Sequence, residues 1–209
     1  MDVFQAMREM RAMRRLKPDP VPEGDLREII EYATAAPSGG NAQGWSFIVV
    51  RDAELRAEIA KIYHRAVTEI YFASLNTGPL PHQTQEEWEA LKRAVMWQGN
   101  HLAEAPVLIF PALRVGRADF ANFTVAASMG GSIFPAVQNL LLACRAKGLG
   151  ATLTSLHLFF EDEVNALLRL PRGVRTFAMI PVGYPLGKFG PTKRLPVDDV
   201  IVWDRYPAS

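Results

Sequence analysis

The stretch Ala36-Pro37-Ser38-Gly39-Gly40-Asn41-Ala42-Gln43-Gly44-Trp45 stands where a helical pattern stops and an apolar strand begins. Before it, Leu26, Ile29, Ile30 and Ala33 recur at helical spacing, and Pro37 ends that helix because proline pushes its predecessor out of the helical region. After it, Trp45-Ser46-Phe47-Ile48-Val49-Val50 reads as a buried strand. Between the two, Ser38, Gly39 and Gly40 leave almost no side-chain bulk, so backbone N–H groups can approach a bound group closely. Asn41 and Gln43 add amides that both donate and accept, as the edge of a flat polar ring demands. An ordinary helix-to-strand turn uses the same Pro, Ser and Gly, so the loop alone leaves both readings open.

Upstream lie Arg11, Arg14 and Arg15, whose charge does not titrate near neutral pH. A phosphate monoester carries close to two negative charges and three acceptor oxygens, and converging guanidinium groups satisfy it with charge-assisted hydrogen bonds. Charge alone also allows another arrangement. Met7, Met10 and Met13 would form the apolar face of a helix opening at Asp2, with the arginines as its solvated face. Taken with the loop, the arginines suit a ligand with a phosphate at one end and a polar ring at the other.

Both segments, in this order, resemble the nitroreductase family of flavoenzymes. Arg11-Ala12-Met13-Arg14-Arg15-Leu16-Lys17-Pro18-Asp19-Pro20-Val21-Pro22 is similar to the family's N-terminal Arg-Ser-x-Arg signature and its Pro-rich entry to the next helix. Pro37 to Gln43 with Trp45 is similar to its flavin-ring loop, and Gly148 to Thr154 and Pro181 to Pro185 match its C-terminal half. Lys193-Arg194 stands where the family places a last phosphate-binding cation. The likeness covers nearly the whole chain and is weakest from Tyr63 to Trp97.

The resemblance implies an α+β fold, a central mixed sheet sandwiched between helices, in an intertwined homodimer with FMN at the interface. It implies that Arg11, Arg14 and Arg194 grip the phosphate beside Ala12, while Pro37, Ser38, Gly39 and Asn41 reach the flavin from the other subunit. Gly150 and the segment Leu153-Thr154-Ser155 would lie along the ring. There a backbone N–H or the Thr154 hydroxyl would tune the electron count of transfer, although Thr152 and Thr154 also suit an ordinary strand. No side chain is singled out as catalytic, because the flavin carries the chemistry. The expected reaction moves hydride from NAD(P)H through FMN to a small electron acceptor, a nitroaromatic or quinone, one substrate after the other. Aromatic residues Tyr71, Phe72, Trp88 or Trp97 would cover the substrate, or else belong to the core. Besides a distant third reading, a nucleic-acid binder with a basic arm, two alternatives remain. One is reductive dehalogenation as in the deiodinase branch, whose lid clamps a zwitterion with Glu, Tyr and Lys, and where Thr68 takes the place of that Glu. The other is a flavin-binding protein without turnover.

Composition agrees with these expectations. With 209 residues, 49% of them hydrophobic, the chain can bury a sizeable core, and residues 1–209 read as one domain. Lys+Arg 23 against Asp+Glu 22 leaves a net charge of +1, so nothing steers the chain globally toward nucleic acid or membrane. The one cysteine, Cys144, sits in an apolar run and reads as a packed thiol in a reducing cytoplasm. No signal peptide and no apolar stretch of bilayer-spanning length are expected.

Other chemistry finds little support. His64, His82, His101 and His157 lack paired metal-ligand spacing. His157 follows a strand that would end near the flavin, and reads either as facing substrate or as structural. Gly148-Leu149-Gly150 lacks the third glycine of a dinucleotide fingerprint. Ser128 and Ser132 lack the preceding strand of a hydrolase elbow. Downstream, the pattern predicts a strand at Val107 to Phe110, a helix from Ala121 to Lys147, a strand from Ala151 to Leu156, a helix around Asp162 to Leu168, a strand from Arg175 to Val182, and an extended polar tail from Pro191.

Overall fold

A computed structural model of the chain describes residues 1–74 and 78–206. Along it, α1 (Val3–Glu9) and α2 (Glu23–Thr34) precede β1 (Trp45–Val50). Helix α3 (Ala53–Arg65) runs into a π-helical turn, Ala66–Tyr71, and a last turn, α4 (Phe72–Ser74). Then α5 (Gln85–His101) leads to β2 (Val107–Arg114), and α6 (Phe123–Ala146) to β3 (Gly150–Ala151). Finally α7 (Glu161–Leu167) leads to β4 (Val174–Thr176) and β5 (Ile180–Gly183).

Strand β2 takes the middle of the sheet, buried along its length up to exposed Arg114. It pairs with β1, Val50 opposite Leu108, and on its other side with β4 and β5. Beyond β5 lies β3. Every strand pair among the described residues is antiparallel, which corrects the expected mixed pairing while leaving the α+β architecture standing. Because β1, β4 and β5 all run against β2, strands of like direction never become neighbours.

The expected strand Arg175 to Val182 is broken in two, and Pro111 supplies the reason. Its carbonyl accepts the Phe177 N–H at 2.9 Å, so this side of β2 faces the break. Proline has no N–H to return, and the ladder cannot continue through it. The strand expected from Ala151 to Leu156 also shortens: β3 ends at Ala151, Thr154 makes an isolated bridge to Met179, and the chain turns into a 3-10 helix, Leu156–Phe160.

Alternation along β2 sorts the two helical layers. Ile109 faces the side where α2 and α6 contribute Leu26, Ile29, Ile133, Val137 and Leu140. Leu108 and Phe110 face Ile59, Tyr63, Val95 and Val164 from α3, α5 and α7. Helix α6 is the one helix among the described residues long and apolar enough to cross a membrane, which corrects the expectation that no such stretch exists. Its inner face is nonetheless core, while Phe123 and Phe134 on it are exposed. The tail is not the polar segment expected, since Val197, Val200, Ile201, Val202, Trp203 and Tyr206 all lie exposed on it.

Candidate functional site

Helix α1 stops at Glu9, one residue short of the methionine at its C-cap, so the arginines do not decorate a helix. From Met13 the chain is extended and laid across the sheet. The Met13 N–H donates to the Ala151 carbonyl at 3.0 Å, Lys17 N–H to Tyr184 at 2.8 Å, and Leu186 N–H to the Arg15 carbonyl at 3.0 Å. Met13 and Leu16 are buried beneath, which turns Arg11, Arg14 and Arg15 toward a cavity of about 490 Å³ that Ala12, Glu87 and Lys188 also line. Among the described residues none of the three arginines forms an ion pair. Burial pushes the Arg14 guanidinium below its ordinary pKa, yet it stays cationic, so a half-buried positive charge awaits an acceptor. Arg15 lies over Trp97, 5.9 Å from the ring centre, and Trp97 stacks on His101 at 4.2 Å.

Arg14 also lines a second cavity of about 200 Å³ with Tyr63, Tyr71, Gln98, Thr152, Leu153, Thr154 and Ser155. Gln98 Nε2 and Thr152 Oγ1 are buried there without a hydrogen-bond partner among the described residues, although the two residues are only 3% and 2% exposed. Orphaned buried polar atoms cost free energy unless a bound group or water satisfies them, so this wall is suited to a polar ligand or to water. Thr154 is held rigidly: its N–H donates to Met179 at 3.0 Å, and Met179 donates back at 2.8 Å. Its hydroxyl meets the Tyr63 hydroxyl at 3.2 Å.

The loop Pro37 to Asn41 lines neither cavity, so within one chain it does not meet the arginines. It is shaped by its own contacts. Ser38 Oγ accepts the Gln43 N–H at 3.0 Å, and Ser132 Oγ on α6 accepts the Gly39 N–H at 3.1 Å. Gly40, Asn41 and Gln43 all take positive φ, at 59°, 53° and 48°, a conformation that is strained for the two side-chain-bearing residues. Arg194 stands in a third cavity of about 720 Å³ with Lys193 and His82, and Glu87 lines this one too, so the C-terminal cations adjoin the arginine cavity. Lys193 is paired with Glu87, whose carboxyl it holds below the usual range, whereas among the described residues Arg194 donates only to the Lys193 carbonyl. Gly150 is buried under Leu16, Met13 and Pro185.

Thus Arg14, Leu153, Thr154 and Ser155 come together, Arg11 and Ala12 adjoin them, Arg194 lies next door, and the loop stands apart. Sequence reading missed Tyr63, Gln98 and Thr152. A signal existed for Gln98, a lone amide on the face that Leu91, Val95 and Leu102 make apolar. Of the aromatic residues expected to cover substrate, Tyr71 reaches the cavity, while Trp88 is core. His157 is structural: it is fully buried, bonds Thr176 Oγ1 through Nε2 at 3.0 Å, and meets Phe110 edge-on.

The model of the Nitroreductase family matches residues 7–184. Among its relatives, the chain is 32% identical to an iodotyrosine deiodinase of Thermotoga neapolitana over 96% of both chains. It is 30% identical to an NADH dehydrogenase of Thermus thermophilus, over 97% of this chain and 96% of that one. It superposes with a TM-score of 0.70 on a crystal structure of oxidized iodotyrosine deiodinase bound to FMN and 3-iodo-L-tyrosine, at 29% identity and full coverage of both chains.

Proposed function

The chain belongs to the nitroreductase family, and we propose that it is a single-domain FMN-dependent oxidoreductase that takes hydride from NAD(P)H and passes electrons to a small acceptor, a nitroaromatic or quinone. One observation carries this reading. Arginines without an ion pair among the described residues face one cavity, and the half-buried Arg14 joins it to a second whose buried Gln98 Nε2 and Thr152 Oγ1 have no partner among those residues. Cations at one end and orphaned amide and hydroxyl groups at the other fit a phosphate and a ring with polar edges.

In this reading Arg11, Ala12 and Arg14, with Arg194 close by, hold the phosphate. Leu153, Thr154 and Ser155 lie along the ring, and Gly150 lets the arginine segment pack near it. Bound FMN supplies the hydride chemistry itself. Pro37, Ser38, Gly39 and Asn41 contribute from a second copy of the chain. That homodimer is supported by the exposed apolar residues of α6 and of the tail, which a dimer interface would bury. In this reading the enzyme works in the cytoplasm, with Cys144 a free, buried thiol.

Purification tests the reading directly. The protein should be yellow, release FMN rather than FAD on denaturation, and scatter light as a dimer. NADH or NADPH should bleach it, and an added quinone should restore the colour. Because one ring face serves both substrates in turn, double-reciprocal lines should be parallel. Colourless protein that takes up no FMN refutes the assignment, and bleached protein that no acceptor reoxidises makes it a flavin binder without turnover.

Reductive dehalogenation is the second reading, and the identity to iodotyrosine deiodinases favours it. Against it, the position where that branch's lid glutamate would stand is Thr68, whose hydroxyl turns back onto the His64 carbonyl at 2.9 Å. Iodide release from iodotyrosine by the reduced protein would decide for the second reading.

A further inference from the structure

Tyr63 is only 2% exposed, and its hydroxyl has one partner among the described residues, Thr154 Oγ1 at 3.2 Å. A threonine hydroxyl has one hydrogen to give and two lone pairs to offer. Thr154 Oγ1 also receives the Leu156 N–H, at 3.4 Å. Were Thr154 the donor to Tyr63, the phenolic hydrogen of a residue only 2% exposed would have no acceptor among the described residues, which is costly. With Tyr63 donating, both lone pairs of Thr154 are used and its own hydrogen is left to point into the cavity.

We propose that Tyr63 is a positioning residue that donates to Thr154 and so fixes the Thr154 hydroxyl as a hydrogen-bond donor toward the flavin ring. The inference rests on the FMN reading above. Tyr63 itself touches no bound group in this scheme. It decides which way one does. The backbone bridge between Thr154 and Met179 holds the threonine in place, so the phenol controls only the hydroxyl rotor. Burial also raises the phenol pKa, which keeps the donor protonated over the working range of pH.

The test is a cycle of FMN-loaded wild type, Tyr63→Phe, Thr154→Val and the double variant, read by the midpoint potential of the bound flavin, its dissociation constant and the thermal unfolding midpoint. A donor at the ring favours the electron-rich reduced form, so Thr154→Val should lower the potential. Tyr63→Phe should lower it by a smaller amount, and should have no further effect in the Thr154→Val background. Equal effects of Tyr63→Phe in both backgrounds, or none in either, would overturn the proposal. Thr154→Ser keeps the hydroxyl and its partner and should hold the wild-type potential, a check that stands even where Tyr63→Phe fails to fold. A serine variant with the valine potential would also overturn it. If wild type takes up no FMN, the cofactor reading falls and this inference with it. If FMN binds but Thr154→Val leaves the potential unmoved, this inference alone falls.

Discussion

A β-carbon placed on Gly150 would lie 2.9 Å from Leu16 Cδ2, so the arginine segment rests on β3 without room for one methyl group. Met13 Cβ, at 3.0 Å, and Pro185 Cβ, at 3.2 Å, close the same space. The glycine is therefore what allows Arg11, Arg14 and Arg15 to be presented by a segment that packs on β3 and hydrogen-bonds to Ala151 and Tyr184. Local sequence places the cations next to one another, and this contact aims them.

Gly150→Ala should push that segment outward. Overpacking of this kind costs about 1–3 kcal/mol. Urea denaturation should show the loss of stability, and FMN titration a weaker dissociation constant. Wild-type values in both would mean the segment accommodates the methyl and is not held as tightly as the contact distances require.

Ala12 stands where the family signature carries serine, and it faces the arginine cavity. A hydroxyl bonded to a charged acceptor contributes about 1.5–3 kcal/mol, roughly ten- to a hundredfold in affinity. Ala12→Ser should tighten FMN by that order, and Arg14→Ala should loosen it at least as much. Flavin fluorescence during titration of apoprotein measures both. If only Arg14→Ala has an effect, a neighbouring cation has taken over from the hydroxyl; if neither does, the phosphate lies elsewhere.

Gly40 has φ of 59°, where a side chain costs about 1–2 kcal/mol. Gly40→Ala should lower stability by about 1 kcal/mol and, if the loop reaches FMN from a second chain, weaken cofactor binding in the dimer as well. A stability loss with unchanged FMN affinity would confine the loop to a structural role.

His157 should make the protein acid-sensitive. Burial lowers its pKa from 6.5 to about 4, so between those values the unfolded chain binds a proton that the folded chain refuses. Its contribution is complete above pH 6.5 and is lost as pH falls toward about 4, by at most about 1.4 kcal/mol per pH unit. Glu161, held low by Arg175, loses stability in the same direction only below the ordinary carboxylate range. Unfolding midpoints between pH 6.5 and 5 should therefore drop for wild type and stay flatter for His157→Gln. Equal slopes would assign the acid sensitivity to other groups.

Periodicity and punctuation were enough to find α2, β1 and α6, and to set Pro37 as the helix stop, because those signals come from neighbours in the chain. The arginine cluster and Leu153 to Ser155 were legible as types of residue in a family order. What they do together was not. That Met10 to Leu16 leaves the helix depends on backbone bonds to Ala151 and Tyr184, partners far away in sequence. The antiparallel pairing, the break opposite Pro111 and the Tyr63 to Thr154 contact likewise join segments that no local pattern connects. Side-chain chemistry and short-range spacing are written in the chain itself, whereas register, burial and the direction of a hydroxyl exist only once distant segments pack, since the free energy that sets them comes from contacts the linear order does not contain.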